Sequence, residues 1–182
     1  MSILFRFLMT LVAAFFRPKM GIDDVSVLRQ RVWPIDLDIN IHMNNARYLS
    51  VMDLGRVDWI IRSGVWKLMR NEGMAPVVGG AMVRYRRSLL PFQNYELRTR
   101  LLGWDERWIY VEQAMVRGDG IACVAVQRAG FTKGGRLVTP VELAQKLHYK
   151  GPDIPAPEWV ANWNQGEAEF VREAERYCSM NR

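Results

Sequence analysis

Cysteine and histidine are scarce. Cys123 and Cys178 are the only cysteines, and His42 and His148 the only histidines, in 182 residues. Two cysteines cannot build a disulfide scaffold. With no C-x-x-C pair and no histidine cluster, a Cys/His zinc site is not expected either. Glycine-rich phosphate loops of the Walker or dinucleotide type are absent, so neither a metal nor a redox cofactor is implied. There is no internal repeat. No apolar run reaches the roughly 20 residues of a spanning helix. A composition of 49% apolar and 24% charged residues excludes a disordered or collagen-like chain. The length suits one domain with a full core, with or without a small appendage.

Charge is present but uneven. The formal net charge is +6, yet residues 151–182 carry −3, leaving +9 on residues 1–150. A basic body attracts anionic partners: nucleic acid, acidic lipid, or a phosphorylated ligand such as coenzyme A. No helix-turn-helix cue, RNA-binding signature or zinc finger accompanies the charge, so no nucleic acid partner is expected.

The N-terminal segment, residues 1–20, is apolar. Phe7 to Phe16 is interrupted only by Thr10, with Arg6 before it and Arg17-Pro18-Lys19 after. The start is weakly basic and no A-x-A site follows, unlike a secretory signal. A cytoplasmic location is expected, with membrane association left open. The segment reads either as a helix in a membrane interface, with Arg6, Arg17 and Lys19 near the headgroups, or as a helix packed on the body or on a second subunit.

Residues 25–33 read as a strand stopped by Pro34. An Asp- and Asn-rich loop fills 35–44, and Asn44 or Asn45 is a suitable N-cap for a helix over 45–62. That helix is apolar over most of its circumference, so other structure must wrap it. Gly55 in its middle costs roughly 1 kcal/mol against Ala, which points to close approach by backbone or ligand. Gly64 ends the helix, and 65–72 is a short helical turn. Strand patterns follow over 77–88, 94–104, 107–117 and 120–133, with Gly118-Asp119-Gly120 as a hairpin turn. They read as a four-stranded antiparallel meander. A short helix is expected over 140–148. Pro152, Pro155 and Pro157 mark a linker, and an acidic helix is expected over 166–177. Strand, long helix and antiparallel strands in that order make an α+β fold, with a sheet curled around one helix.

The densest chemistry is Asp36-Leu37-Asp38-Ile39-Asn40-Ile41-His42-Met43-Asn44-Asn45. Carboxylates and a histidine lie in a loop that runs into a helix N-terminus. The unpaired N–H groups and positive dipole end there favour a developing negative charge. Acyl transfer needs such a donor array, and a carboxylate to attack or to activate water. The ordinary explanation is that Asp and Asn cap helices and make Asx-turns. Composition alone favours that explanation.

The pattern D-x-D-x-N-x-H-M-N-N-A-R-Y-L, Asp36 to Leu49, resembles the active-site signature of hotdog-fold acyl-CoA thioesterases of the 4-hydroxybenzoyl-CoA thioesterase-like superfamily. Tyr85-Arg86-Arg87-Ser88-Leu89 and the run from Leu97 to Asp105 resemble one subgroup, the thioesterase superfamily member 6-like proteins. The resemblance covers about residues 25–150. It implies a hotdog fold for a domain over 21–150, followed by the linker and acidic helix of 151–182. It also implies a homodimer or homotetramer with its site at a subunit interface, and an acyl-CoA or acyl-carrier substrate. By the family pattern Asp38 is the nucleophile or general base. The N–H of Asn45 polarises the thioester carbonyl, and Tyr48 matches the family tyrosine of the first turn. Many relatives have Gly immediately before the histidine; here Ile41 stands there, a residue that disfavours a positive φ.

The catalytic candidates are therefore Asp38, His42 and Asn45. Candidates for substrate binding are Asn44, Tyr48, Asp53, Arg56, Arg86 and Arg87. Each has a plainer role: Asp36 turns the loop, Asn44 and Asn45 cap the helix, and Asp53 pairs with Arg56 three residues on. Arg84, Arg98 and Arg100 sit on solvated strand faces, and Cys123 is a core residue rather than a nucleophile. Trp33, Trp104 and Trp108 pack in the core or an interface. The function expected is thioester hydrolysis. The alternatives are a non-catalytic acyl-CoA or lipid-binding protein at a membrane surface, and an enoyl-thioester hydratase. The hydratase lacks its expected spacing and proline here.

Overall fold

The computed structural model describes residues 2–180. In chain order the elements are α1 (Ile3–Phe16), β1 (Ser26–Arg31), α2 (Asn45–Arg62), α3 (Val65–Glu72), β2 (Ala75–Tyr85) and β3 (Asn94–Trp104). After them come β4 (Ile109–Arg117), β5 (Gly120–Lys133), β6 (Arg136–Val138), α4 (Pro140–Lys146) and α5 (Glu158–Met180). The boundaries of α2 coincide with those expected from its pattern, and Asn44 caps it by accepting the Ala46 N–H at 2.9 Å.

An apolar α2 demands enclosure, and the sheet supplies it. Tyr48, Val51, Met52 and Leu54 are buried against Leu97, Met115, Cys123 and Ala125. Trp59 continues the contact toward Leu101, Val111 and Phe131. Each such side chain contributes on the order of 1.5–3 kcal/mol by leaving water. The strand alternation is as expected: Tyr95, Leu97, Thr99 and Leu101 face inward and are buried, while Arg98 and Arg100 are exposed.

The strand order β1-β3-β4-β5-β2, antiparallel throughout, departs from a simple meander. Only β3, β4 and β5 follow one another. β2 pairs with β5, and β1 takes the free edge of β3. The reason lies in the connection 86–93, which is not a hairpin turn. It crosses the head of α2, where the Leu89 carbonyl accepts the Met43 N–H at 2.8 Å and the Gln93 carbonyl accepts the Val32 N–H at 3.0 Å. Register shifts beside Val78, Leu101 and Met115 bend the sheet around the helix.

Gly55 is the point of closest approach, though to side chains rather than to backbone or ligand. A Cβ there would collide with Thr99 Oγ1 and come within 2.8 Å of Gln113 Nε2. Gln113 donates to the Met52 carbonyl at 2.8 Å and to Thr99 Oγ1 at 3.0 Å. A polar bridge thus ties helix to sheet inside the core, with its buried groups satisfied.

α1 packs on the body through one face, with Ile3 and Phe7 against the core. The headgroup placement of Arg6 and Arg17 is overturned. Arg6 is buried in an ion pair with Asp36, and Arg17 binds Asp58 at 2.7 Å. Asp58, itself buried, also accepts from Ser26 Oγ at 2.6 Å and Arg62 at 3.0 Å. One carboxylate therefore joins α1, β1 and α2. Leu4, Phe5, Leu8, Met9, Val12, Phe15 and Phe16 stay exposed, on an arc of about 140° at 100° per residue. Among the described residues no helix is long and apolar enough to cross a membrane.

α5 begins at Glu158, earlier than the acidic pattern suggests. The proline segment before it lies along the end of β3: Trp104 N–H donates to the Ile154 carbonyl at 2.9 Å, and Ala156 N–H to the Trp104 carbonyl at 2.8 Å. Gly103, at φ 155°, allows that approach, since a Cβ would lie 2.8 Å from two carbonyl oxygens. Val160 is buried beside Tyr110 and Val126. From Ala168 onward every described residue is exposed.

Gly55→Ala is expected to destabilise the fold by about 1–3 kcal/mol, because the packed core must shift to admit one methyl group. Denaturant unfolding of the two proteins checks this. Equal midpoints would mean that the helix can slide away from Thr99 and Gln113.

Candidate active site

The loop between β1 and α2 begins with a 3-10 turn, Pro34–Asp36. Pro34 cannot continue the β1 pairing and starts the turn. Leu37 and Met43 then pair as an isolated antiparallel bridge. Asp38 N–H donates to the His42 carbonyl at 2.9 Å, and Ile41 N–H to the Asp38 carbonyl at 3.1 Å. The result is a miniature hairpin with a three-residue tip, Ile39-Asn40-Ile41. Tips of this length place their last residue in the left-handed region, and Ile41 has φ 58°. The chain therefore takes the positive φ that isoleucine disfavours. A β-branched residue there costs on the order of 1–3 kcal/mol. The side chains of Ile39 and Ile41 are exposed.

The hairpin holds Asp38 at its neck. Oδ1 accepts the Asn40 N–H at 2.9 Å, the Asx-turn expected of an aspartate here. Oδ2 lies 3.3 Å from His42 Nδ1. The carboxylate and the imidazole are 20% and 31% exposed, so both remain open to a ligand. Asn44, Asn45 and Ala46 follow at once as the first exposed residues of the α2 terminus. Asn44 spends its side chain on the cap. Asn45 is at the first helical position, where an N–H has no intrahelical acceptor. Its carbonyl accepts from Tyr85 Oη at 3.1 Å. The structure thus brings Asp38, His42, Asn44 and Asn45 together.

The remaining candidates lie along α2 and at the exit of β2. Tyr48 is buried, its hydroxyl accepting the Leu89 N–H at 3.3 Å and its ring meeting Tyr85 edge-on. Burial raises its phenol above the ordinary value, and the nearby Asp38 charge adds to the rise. It supports the 86–93 connection through Leu89. Asp53 and Arg56 pair with each other, as their spacing suggests. They lie eight and eleven residues beyond Asn45, about 12 and 16 Å along the helix axis. Arg56 also donates to Gln113 Oε1 at 3.2 Å and to Gln127, and burial lowers its pKa. It borders a small apolar cavity of about 50 Å³ with Trp59, Ile60, Val77, Val78 and Phe131. Arg86 and Arg87 are exposed at the exit of β2 and form no ion pair among the described residues.

Arg98 and Arg100 pair with Glu96 and Glu112 on the outer sheet face. Trp104 meets Tyr149, Trp108 lies between Arg107 and Arg128, and Trp33 faces Arg31. Cys123 is fully buried, which pushes its thiol up to about 12 and leaves it unreactive at neutral pH. Among the described residues no group of three or more His, Cys, Asp or Glu could hold a metal ion.

Asp36 turns the loop as expected, ending the 3-10 turn, but its burial and its partner were not foreseen. It is completely buried and binds Arg6 Nη1 at 2.9 Å. Its Oδ2 accepts the Trp33 N–H at 3.0 Å, and its carbonyl accepts the Asn44 N–H at 2.8 Å. The available signal was Arg6 itself, one charge inside an apolar helix, which asks for a buried partner. A cavity of about 850 Å³ is lined by Arg6 together with Arg29, Arg31, Arg98 and Trp33; Asp38 and His42 do not line it.

Known proteins bear on this geometry. A family model described as the thioesterase-like superfamily matches residues 32–164. The Xenopus laevis protein named THEM6 is 37% identical over 156 residues, which are 82% of this chain and 73% of that protein. The solved structure of YbaW, a probable thioesterase from Escherichia coli, superposes with a TM-score of 0.61 at 22% identity, covering 66% of this chain and 95% of that one. A mutant 4-hydroxybenzoyl CoA thioesterase complexed with 4-hydroxybenzoyl CoA gives 0.58 at 12% identity, over 68% and 98%. The curled sheet around α2 is the hotdog fold of these structures.

Ile41→Gly is expected to stabilise the protein by about 1 kcal/mol, by relieving the left-handed strain at a side chain that buries little. A thermal melt reads this, and an unchanged or lower midpoint would show that the isoleucine is held there by favourable contacts.

Proposed function

The chain belongs to the thioesterase-like superfamily, and from that footing we propose that it hydrolyses acyl thioesters of coenzyme A or of an acyl carrier, with Asp38 as the general base or nucleophile. The observation that carries the reading is the partly exposed Asp38 carboxylate, held by the Asn40 N–H and beside His42, directly before the exposed start of α2.

Asp38 takes a proton from water as the water oxygen attacks the thioester carbonyl. The oxygen becomes an oxyanion, and the Asn45 N–H with the positive end of α2 stabilises it. The oxyanion collapses, the C–S bond breaks and the thiolate leaves. The proton held by Asp38 passes to the thiolate, releasing a carboxylic acid and a thiol. In the nucleophilic variant Asp38 attacks the carbonyl itself, expels the thiolate and forms an anhydride, which water then opens. A thiolate is a good leaving group, so no protonating acid is needed. His42 orients the carboxylate through Oδ2. Asn44, Arg86 and Arg87 border the entrance, where the arginines meet phosphate groups of the carrier. Asp53 and Arg56 act farther along α2, beside the apolar cavity where the acyl chain ends.

Two further properties belong to this reading. The chain works as a homodimer or homotetramer, as a hotdog protein with an open β2 edge and a site near its rim would. The exposed arc of α1 lies against a membrane surface, since a face of this size with four exposed aliphatic or sulfur side chains and three phenylalanines favours an interface. Flotation with phosphatidylcholine–phosphatidylserine vesicles is expected for the full chain, and for Phe5→Ser/Phe16→Ser to be weakened at least about fivefold. Equal flotation of both would remove α1 from the contact.

Thiol release from a panel of acyl-CoAs tests the reaction. Asp38→Asn should lose at least about 100-fold in kcat with the fold intact. Asn45→Pro deletes the N–H along with the side-chain amide, at a helix position that accepts proline and after a residue already at ψ 137°; Asn45→Ala, which keeps the N–H, is the control. The proline variant should lose about 10²–10³-fold. Wild-type turnover in folded Asp38→Asn would end the assignment. Tight binding without turnover in the wild type would make the protein an acyl-CoA binder.

A further inference from the structure

Two opposite charges face each other out of water directly behind the candidate site. Arg6 is 2% exposed and Asp36 0%. A pair this deeply buried does little for stability on balance, because apolar side chains of the same volume would serve as well. Its presence points to geometry instead. Asp36 closes the loop that carries Asp38 and His42 at both ends: the carboxylate takes the Trp33 N–H before the loop, and the carbonyl takes the Asn44 N–H after it. Arg47 Nε makes a longer ion pair with the second carboxylate oxygen, at 3.4 Å and from a side chain that is partly exposed. The guanidinium is itself oriented from the sheet, donating to Gln30 Oε1 at 2.8 Å and Tyr95 Oη at 3.4 Å.

At the tip Ile39 and Ile41 are exposed and Ile41 is strained, so the loop is held at its base: by the Leu89 carbonyl on the Met43 N–H, and by the anchor of Arg6 on Asp36. That anchor comes from α1, which lies wholly before residues 32–164, the part matched by the family model.

We propose that Arg6 is a positioning residue for hydrolysis: through Asp36 it holds the Asp38–His42 hairpin in register with the α2 N-terminus, so that α1 is a working part of the active site. The inference rests on Asp38 being catalytic. Arg6 touches no substrate; it acts only through the loop.

The test uses the full chain and three variants. Arg6→Met is expected to lower kcat at least about tenfold with KM within about twofold, since the pocket survives while the reacting carboxylate drifts. Arg6→Lys, which keeps a charge opposite Asp36, should recover part of that loss. Arg6→Met leaves the buried Asp36 carboxylate with only the longer Arg47 pair, which weakens the fold, so Arg6→Met/Asp36→Asn removes both charges; it should fold as the wild type does and remain slow. Hydrogen exchange supplies a readout independent of turnover: the Asn44 and Asp38 N–H groups should exchange at least about tenfold faster in the double variant, with the β3–β4 amides unchanged. Wild-type kcat in the folded double variant, or unchanged exchange at Asn44, overturns the proposal. If Asp38→Asn keeps full turnover, the hydrolytic reading has failed instead, and exchange at Asn44 still decides whether Arg6 anchors the loop.

Discussion

The enclosure of α2 is the constraint from which the rest of the molecule follows. A helix with apolar side chains on nearly every side has no stable place at a surface. The sheet must curl to cover it, and the register shifts beside Val78, Leu101 and Met115 are where it bends. Thr99, Leu97 and Gln113 come so close that only glycine fits at position 55. Enclosure stops at the first turn. Asn44, Asn45 and Ala46 emerge at the rim; the Asn44 and Ala46 N–H groups are taken by the Asp36 carbonyl and the Asn44 side chain, and Asn45 holds the first helical position, where an N–H has no intrahelical acceptor. The one polar end of a buried helix is thus the natural place for a site that stabilises negative charge.

Three aspartates near this helix show how surroundings divide one side chain into different roles. Asp58 is buried under three donors and joins α1, β1 and α2. Asp36 is buried under Arg6 and the Trp33 N–H. Of these three, only Asp38 keeps a carboxylate partly open to solvent, with one oxygen held by a backbone N–H and the other beside an imidazole. A buried, paired carboxylate is a strut; a partly exposed one can exchange a proton with a bound molecule. The sequence spacing D-x-D places the strut and the candidate group two residues apart.

Ile41 sharpens the account of this loop. The hairpin needs a left-handed residue at its tip, and isoleucine adopts that conformation at a cost. Isoleucine therefore does not stop the backbone from turning there. What it changes is the surface: two exposed isoleucines, 39 and 41, flank the carboxylate. Strain at the tip and burial of charge at the base work against each other, and the loop keeps its shape because the base is the better anchored.

Much of this was legible in the residues. The limits of α2, the Asn44 cap, the inward alternation of β3, the burial of Cys123 and the Asp53–Arg56 pair follow from local periodicity, capping and side-chain reach, which act over a few residues. The family signature marks the Asp38 loop for the same reason, because its geometry is set by hydrogen bonds within ten residues. Partners far apart in the chain were another matter. The pairing of β2 with β5, the early start of α5, and the attachments of Arg6 to Asp36 and Arg17 to Asp58 depend on which surfaces meet after the sheet closes. The hydrogen bond of Tyr48 to the 86–93 connection likewise belongs to the closed structure. Sequence by itself determined the elements and the chemistry of the loop; only tertiary structure decided which charges would be drawn out of water together, because burial is a property of the packed whole and not of any local segment.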